Sequence, residues 1–168
     1  AVIQFSSQMK ASLKSLFLLI FVNVSVDIFC STDLLTVAER SDYKSASSYR
    51  EVISFIDELK SSSKLIRVET IGRSVNGCDI PLMIIGDPLP SQPSVIEKDG
   101  RTVVYIQANI HADEVEGKEA SLMFARDILK KSDPAILKNL VILICPIFNI
   151  DGNEKISPHH RTHQNGPV

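Results

Sequence analysis

The sequence predicts an α/β fold, a mixed β-sheet sandwiched by helices. Three observations lead there. Apolar residues recur at helical spacing from Tyr49 to Leu59. Alternating apolar and polar residues on either side of a Gly- and Asn-containing turn mark a hairpin within residues 65–86. Two β-branched, almost continuously apolar runs, residues 102–108 and 140–148, flank a second helical stretch. Strands that alternate with helices bury their apolar faces against one another as layers.

The chain opens outside that fold. Residues 1–8 precede Met9, which reads as an initiator, and form an upstream extension with no role to assign. Residues 9–30 have the make-up of a secretory signal peptide: Lys10 and Lys14 supply positive charge, and residues 16–26 (LFLLIFVNVSV) supply an apolar run closed by Asp27. The run is shorter than the roughly 20 apolar residues that span a bilayer. Cleavage is expected near Cys30 or Ser31, giving a secreted chain with no stable membrane association; an uncleaved signal anchor is the alternative.

Tyr49, Val52, Ile53, Phe55, Ile56 and Leu59 predict an amphipathic helix of about four turns that ends at Ser61-Ser62-Ser63. Residues 65–71 (LIRVETI) and 79–86 (DIPLMIIG) are the hairpin strands, joined by the turn residues 72–77. Residues 87–100, rich in Pro and polar side chains, are expected to be an exposed loop. Residues 102–108 (TVVYIQA) read as a strand buried on both faces. Residues 115–131 predict a helix with Ala120, Phe124, Ile128 and Leu129 on its apolar side. A short helical turn over 133–138 leads into a central strand over 140–148.

Composition narrows the function. The chain has 168 residues, 44% hydrophobic and 23% charged, with a net charge of -2, no Trp and 6% aromatic residues. That is the size of one domain with a real core. It lacks the basic patch and stacking aromatics of a nucleic-acid binder, so nucleic acid is not an expected partner. Cys30, Cys78 and Cys145 follow no disulfide or Cys-x-x-Cys spacing. Once Cys30 is removed, the remaining two could pair in a secreted protein, or Cys145 could be a buried free thiol.

The chemistry gathers where the strand over 102–108 ends and a helix begins. His111 and Glu114 stand three residues apart there, at the carboxyl end of a strand, where open α/β sheets place their sites. Imidazole nitrogen and carboxylate oxygen both ligate Zn²⁺ at roughly 2.0–2.2 Å, and such a pair with one further His leaves a position for water. A structural reading stands beside it: Asp113, Glu114 and Glu116 favour the positive end of the following helix, and His111 is a polar turn residue.

Three ordered motifs sharpen the choice: residues 71–82 (IGRSVNGCDIPL), residues 109–117 (NIHADEVEG) and residues 148–153 (FNIDGN). Together they resemble the zinc carboxypeptidases of the M14 family, over residues 43–168. The resemblance implies that His111 and Glu114 are the first two zinc ligands and that Arg161 polarises the scissile carbonyl. It implies peptide or protein C-termini as substrates and hydrolysis by water, with a Glu taking the proton and the Arg stabilising the oxyanion. The family's third ligand, a His on a later strand, its Asn-Arg pair for the substrate carboxylate and its catalytic Glu match no position here. His159, His160 and His163 lie in a polar segment and fit no ligand position. The expectation is therefore a partial catalytic domain, incomplete at its C-terminal side, with an uncovered sheet edge near residues 140–148. Two other readings stay open: a small-molecule deacylase of the same fold, and a secreted non-catalytic domain that binds peptides.

Overall fold

The computed structural model describes residues 33–130 and 135–155. The expected leader, Cys30, Arg161 and the three histidines of the 159–163 segment lie outside the described residues. The described residues from Leu34 on form one compact unit.

The first elements are a one-turn helix, α1 (Val37–Arg40), and a long helix, α2 (Tyr49–Ser62). Each begins with a capping box, in which a hydroxyl and a carboxylate three residues apart satisfy each other's backbone N–H groups: Thr36 with Glu39, and Ser48 with Glu51. Glu154 adds a third acceptor at the start of α2, taking the Tyr49 N–H at 2.7 Å. The stripe predicted from spacing is the stripe that is buried, through Val52, Phe55, Ile56 and Leu59. Each such side chain contributes roughly 1.5–3 kcal/mol by leaving water.

Strands β1 (Ile66–Arg73) and β2 (Asp79–Ile85) pair antiparallel from Ile66 opposite Ile85 to Arg73 opposite Asp79, with a bulge between Thr70 and Gly72. Gly77 closes the turn at φ 83°, a left-handed conformation natural to glycine. The segment expected as a loop contains a helix, α3 (Pro93–Asp99), started by a proline in its first turn and stopped by Gly100 in the left-handed region. Strands β3 (Thr102–Gln107) and β4 (Leu140–Cys145) pair in parallel, across helix α4 (Val115–Lys130) and a 3₁₀ turn (Ala135–Lys138). A last one-turn helix, α5 (Ile150–Asn153), follows β4. The strand order β1-β2-β4-β3 makes a mixed sheet.

Alternation along β2 and β4 divides the core in two. Met83, Ile85, Ile142 and Ile144 face α2 and α4, while Leu82, Ile84, Val141 and Cys145 face the other side with Ile96 of α3 and Leu89. Among the described residues Cys78 and Cys145 are free thiols, and burial pushes the Cys145 thiol up to about 11.

Three expectations about burial are corrected. β4 is hydrogen-bonded on both sides, so no sheet edge lies at β4; among the described residues the edge strands are β1 and β3. β3 is accordingly not buried on both faces: Val103 is 46% and Tyr105 49% exposed. On α4, Phe124 is 41% exposed and Ala120 is exposed, and the core-facing residues are Leu122, Ala125 and Ile128. The rotation follows from charged side chains that a hydropathy pattern assigns to solvent. Lys118, Glu119 and Arg126 are buried against the segment before α2. Arg126 pairs with Glu39 at 2.5 Å and donates to the Leu34 carbonyl at 3.0 Å. Glu119 accepts from the backbone of Ser47 at 2.6 Å and of Ala38 at 3.3 Å. Lys118 donates to the Ser47 carbonyl and the Asn153 side chain. Burial holds the Lys118 amine below its usual range, with Glu119, Glu154 and Glu51 pulling the other way.

Candidate metal site

At the carboxyl end of β3 the chain leaves the sheet through Ala108, whose N–H still reaches the Cys145 carbonyl at 2.9 Å. It turns sharply at Asn109, which has φ 54°. Asparagine is among the few residues that tolerate this left-handed region. The turn throws His111 and Glu114 out of the sheet and ahead of α4.

The two side chains meet. His111 Nδ1 lies 2.9 Å from Glu114 Oε1, a contact in which the Nδ1–H tautomer of the neutral ring donates to the carboxylate; a zinc ion held by Nδ1 would take the place of that proton. The His111 N–H donates to Glu114 Oε2 at 3.2 Å, and the Glu114 N–H donates back to the His111 carbonyl at 3.2 Å. The pair is open to solvent, with side-chain exposures of 64% and 36%. An imidazole nitrogen and a carboxylate oxygen converging within about 4 Å are the donor types and spacing that one zinc ion needs. Among the described residues no group of three or more potential ligands stands together, so the pair offers two donors of a four-coordinate shell.

The third sequence motif links the other two. Asp151, in α5, accepts from the Ser74 hydroxyl at 2.8 Å and from the Asn76 N–H at 3.1 Å, which fixes the β1–β2 turn. The Ser74 hydrogen bond is the main reason its carboxyl lies below the usual range. Asn149 reaches the other way, donating through Nδ2 to the Ile110 carbonyl at 3.1 Å and through its N–H to the Asn109 carbonyl at 2.9 Å. Its Oδ1 also accepts the Gly152 N–H at 3.0 Å. A Cβ at Gly152 would sit 2.8 Å from the Asn149 side chain, so the Asn-x-Asp-Gly spacing serves a close backbone approach.

Asn109, Asn149 and Asp151 stand in the three sequence motifs with no role legible from spacing, and Lys118 and Glu119 stand outside them. A left-handed Asn at a strand end carries a faint signal. The buried charges carry none, because their partners lie 35 or more residues away in sequence.

A family model described as zinc carboxypeptidase matches residues 52–166. Among curated proteins, the chain is 29% identical over 126 residues to carboxypeptidase A6 of Mus musculus, covering 71% of this chain and 27% of that protein. It is 38% identical over 101 residues to carboxypeptidase SOL1 of Arabidopsis thaliana, covering 57% of this chain and 19% of that protein. The chain thus spans about a quarter or less of the length of these relatives. Among solved structures, bovine thrombin-activatable fibrinolysis inhibitor in complex with tick carboxypeptidase inhibitor superposes with a TM-score of 0.54 at 20% identity, over 66% of this chain and 33% of that one. Carboxypeptidase A from Helicoverpa armigera gives 0.52 at 24% identity, over 63% and 25%. At these identities the structural likeness speaks for the fold, a mixed open sheet with helices.

Proposed function

This chain belongs to the zinc carboxypeptidase family, and we propose that His111 and Glu114 are two protein ligands of a zinc ion in a peptide hydrolase that removes residues from peptide and protein C-termini. The observation that supports this reading is the convergence of His111 Nδ1 and Glu114 Oε1 at 2.9 Å on an exposed loop at a strand end. Zinc supplies, when bound, a water of lowered pKa and Lewis-acid polarisation of a carbonyl. The chain's own residues hold and orient. His111 gives an imidazole nitrogen and Glu114 a carboxylate, while Asn149 and Asp151 brace the loop and the neighbouring hairpin turn. Arg161 is assigned the scissile carbonyl oxygen, where a guanidinium stabilises developing negative charge. Residues 9–30 are assigned as a cleaved leader and residues 43–168 as part of the catalytic domain, which makes the protein secreted.

The test is zinc titration of the 168-residue chain in competition with a chromophoric chelator. With two protein donors, weak one-site binding is expected, lost in both His111→Ala and Glu114→Gln. Binding that survives both substitutions unchanged overturns the assignment.

A further inference from the structure

We propose that Asn109 is the positioning residue of the His111–Glu114 pair, fixing the His111 main chain so that the imidazole and the carboxylate meet; the inference rests on the zinc reading above. Asn109 is 1% exposed, so it lies beneath the loop and not on it. Its Nδ2 donates to the His111 carbonyl at 3.2 Å, the same oxygen that accepts the Glu114 N–H at 3.2 Å. One carbonyl thereby ties three of the loop's residues together. The two preceding carbonyls are held by the residue that caps α5: Asn109's by the Asn149 N–H and Ile110's by the Asn149 side chain. Every main-chain oxygen from 109 to 111 is engaged, and the direction of the His111 side chain follows from that.

A second observation separates positioning from plain stability. Asn109 Oδ1 is buried and has no hydrogen-bond partner among the described residues. An unmatched buried acceptor is destabilising. If this position needed only a φ of 54°, glycine would provide it without the orphaned oxygen. What asparagine adds is the amide N–H aimed at His111. The amide cannot be turned over, because Oδ1 would then face the His111 carbonyl, acceptor against acceptor. Groups that orient ligands without touching the metal typically change its affinity 10- to 100-fold when removed.

The experiment is the Asn109→Gly variant of the 168-residue chain, which keeps the left-handed backbone and deletes the clamp. Zinc affinity by chelator competition is expected to fall about 10- to 100-fold while far-UV circular dichroism stays that of the wild type. In the zinc-free protein, exchange of the Glu114 amide hydrogen is expected to rise about tenfold, since its acceptor is no longer fixed. Asn109→Asp, which tolerates the same backbone but donates nothing to His111, is the second variant for the exchange measurement and should show the same loosening. An affinity within about twofold of a His111-dependent wild type overturns the positioning role. If the wild type shows no His111-dependent zinc binding, the zinc reading fails on its own. Exchange then decides: a faster Glu114 amide in both variants upholds the clamp, and unchanged exchange overturns it.

Discussion

Removing the Glu119 carboxylate should unlock the segment that precedes α2. Glu119 is buried, and its two oxygens take the Ser47 N–H at 2.6 Å and the Ala38 N–H at 3.3 Å, both on residues that are themselves buried. In Glu119→Ala both donors lose their acceptor, at about 1–3 kcal/mol each, and Lys118 loses its nearest counter-charge. The expected loss is about 4 kcal/mol, a large part of the 5–15 kcal/mol that a domain usually has. With a slope of roughly 2 kcal/mol per molar urea, the unfolding midpoint should fall by about 2 M. Glu119→Gln, which keeps one carbonyl acceptor, should lose about half as much. Glu116→Ala, exposed one turn away, is the control and should stay within about 0.5 kcal/mol of wild type. A Glu119→Ala midpoint less than about 0.5 M below wild type would mean that neither N–H depends on this carboxylate.

Three further outcomes are expected. Burial pushes the Glu39 carboxyl up, but hydrogen bonds from Arg126 and Thr36 outweigh it and hold it below 4.5. The folded state then binds fewer protons than the unfolded one, so this stabilisation is present above about pH 4.5 and is lost as pH falls through the folded value. Glu39→Gln should flatten that part of an acid-unfolding curve. Val103→Lys on the exposed edge strand should reduce concentration-dependent self-association by size-exclusion chromatography while changing stability by less than about 0.5 kcal/mol. Finally, with two proposed ligands and Arg161, the chain supplied with zinc is expected to release no C-terminal amino acid from a peptide panel read by mass spectrometry. Turnover lost in both His111→Ala and Glu114→Gln would instead mean that His159, His160 or His163 completes a site.

The strands and the long helices were legible because local periodicity reports them: the β1–β2 hairpin, β3, β4 and α2 stand within a few residues of their predicted places. Helix α3 was hidden by the prolines that precede it, although Pro93 at its start and Gly100 after its end are the usual helix punctuation. The orientation of α4 was illegible for a different reason. Its buried Lys118, Glu119 and Arg126 are matched by partners from distant parts of the chain, and a pattern of apolar residues cannot report such pairs. β3 reads as a central strand because it is apolar throughout, yet strand order is a property of the whole sheet. At the candidate site the same division holds. His111 and Glu114 announce themselves by spacing, whereas the Asn109 clamp depends on a left-handed turn at that residue and the hold from Asn149 exists only once the start of α5 has folded back onto the loop.

In the proposed site zinc sits on one imidazole nitrogen and one carboxylate of the loop over 111–114. X-ray absorption at the zinc edge, on the chain loaded with one equivalent of metal, reads the ligand atoms directly. Only nitrogen and oxygen neighbours at roughly 2.0–2.2 Å are expected, with the imidazole scattering lost in His111→Ala. A sulfur shell at about 2.3 Å, or imidazole scattering that survives His111→Ala, would contradict that assignment.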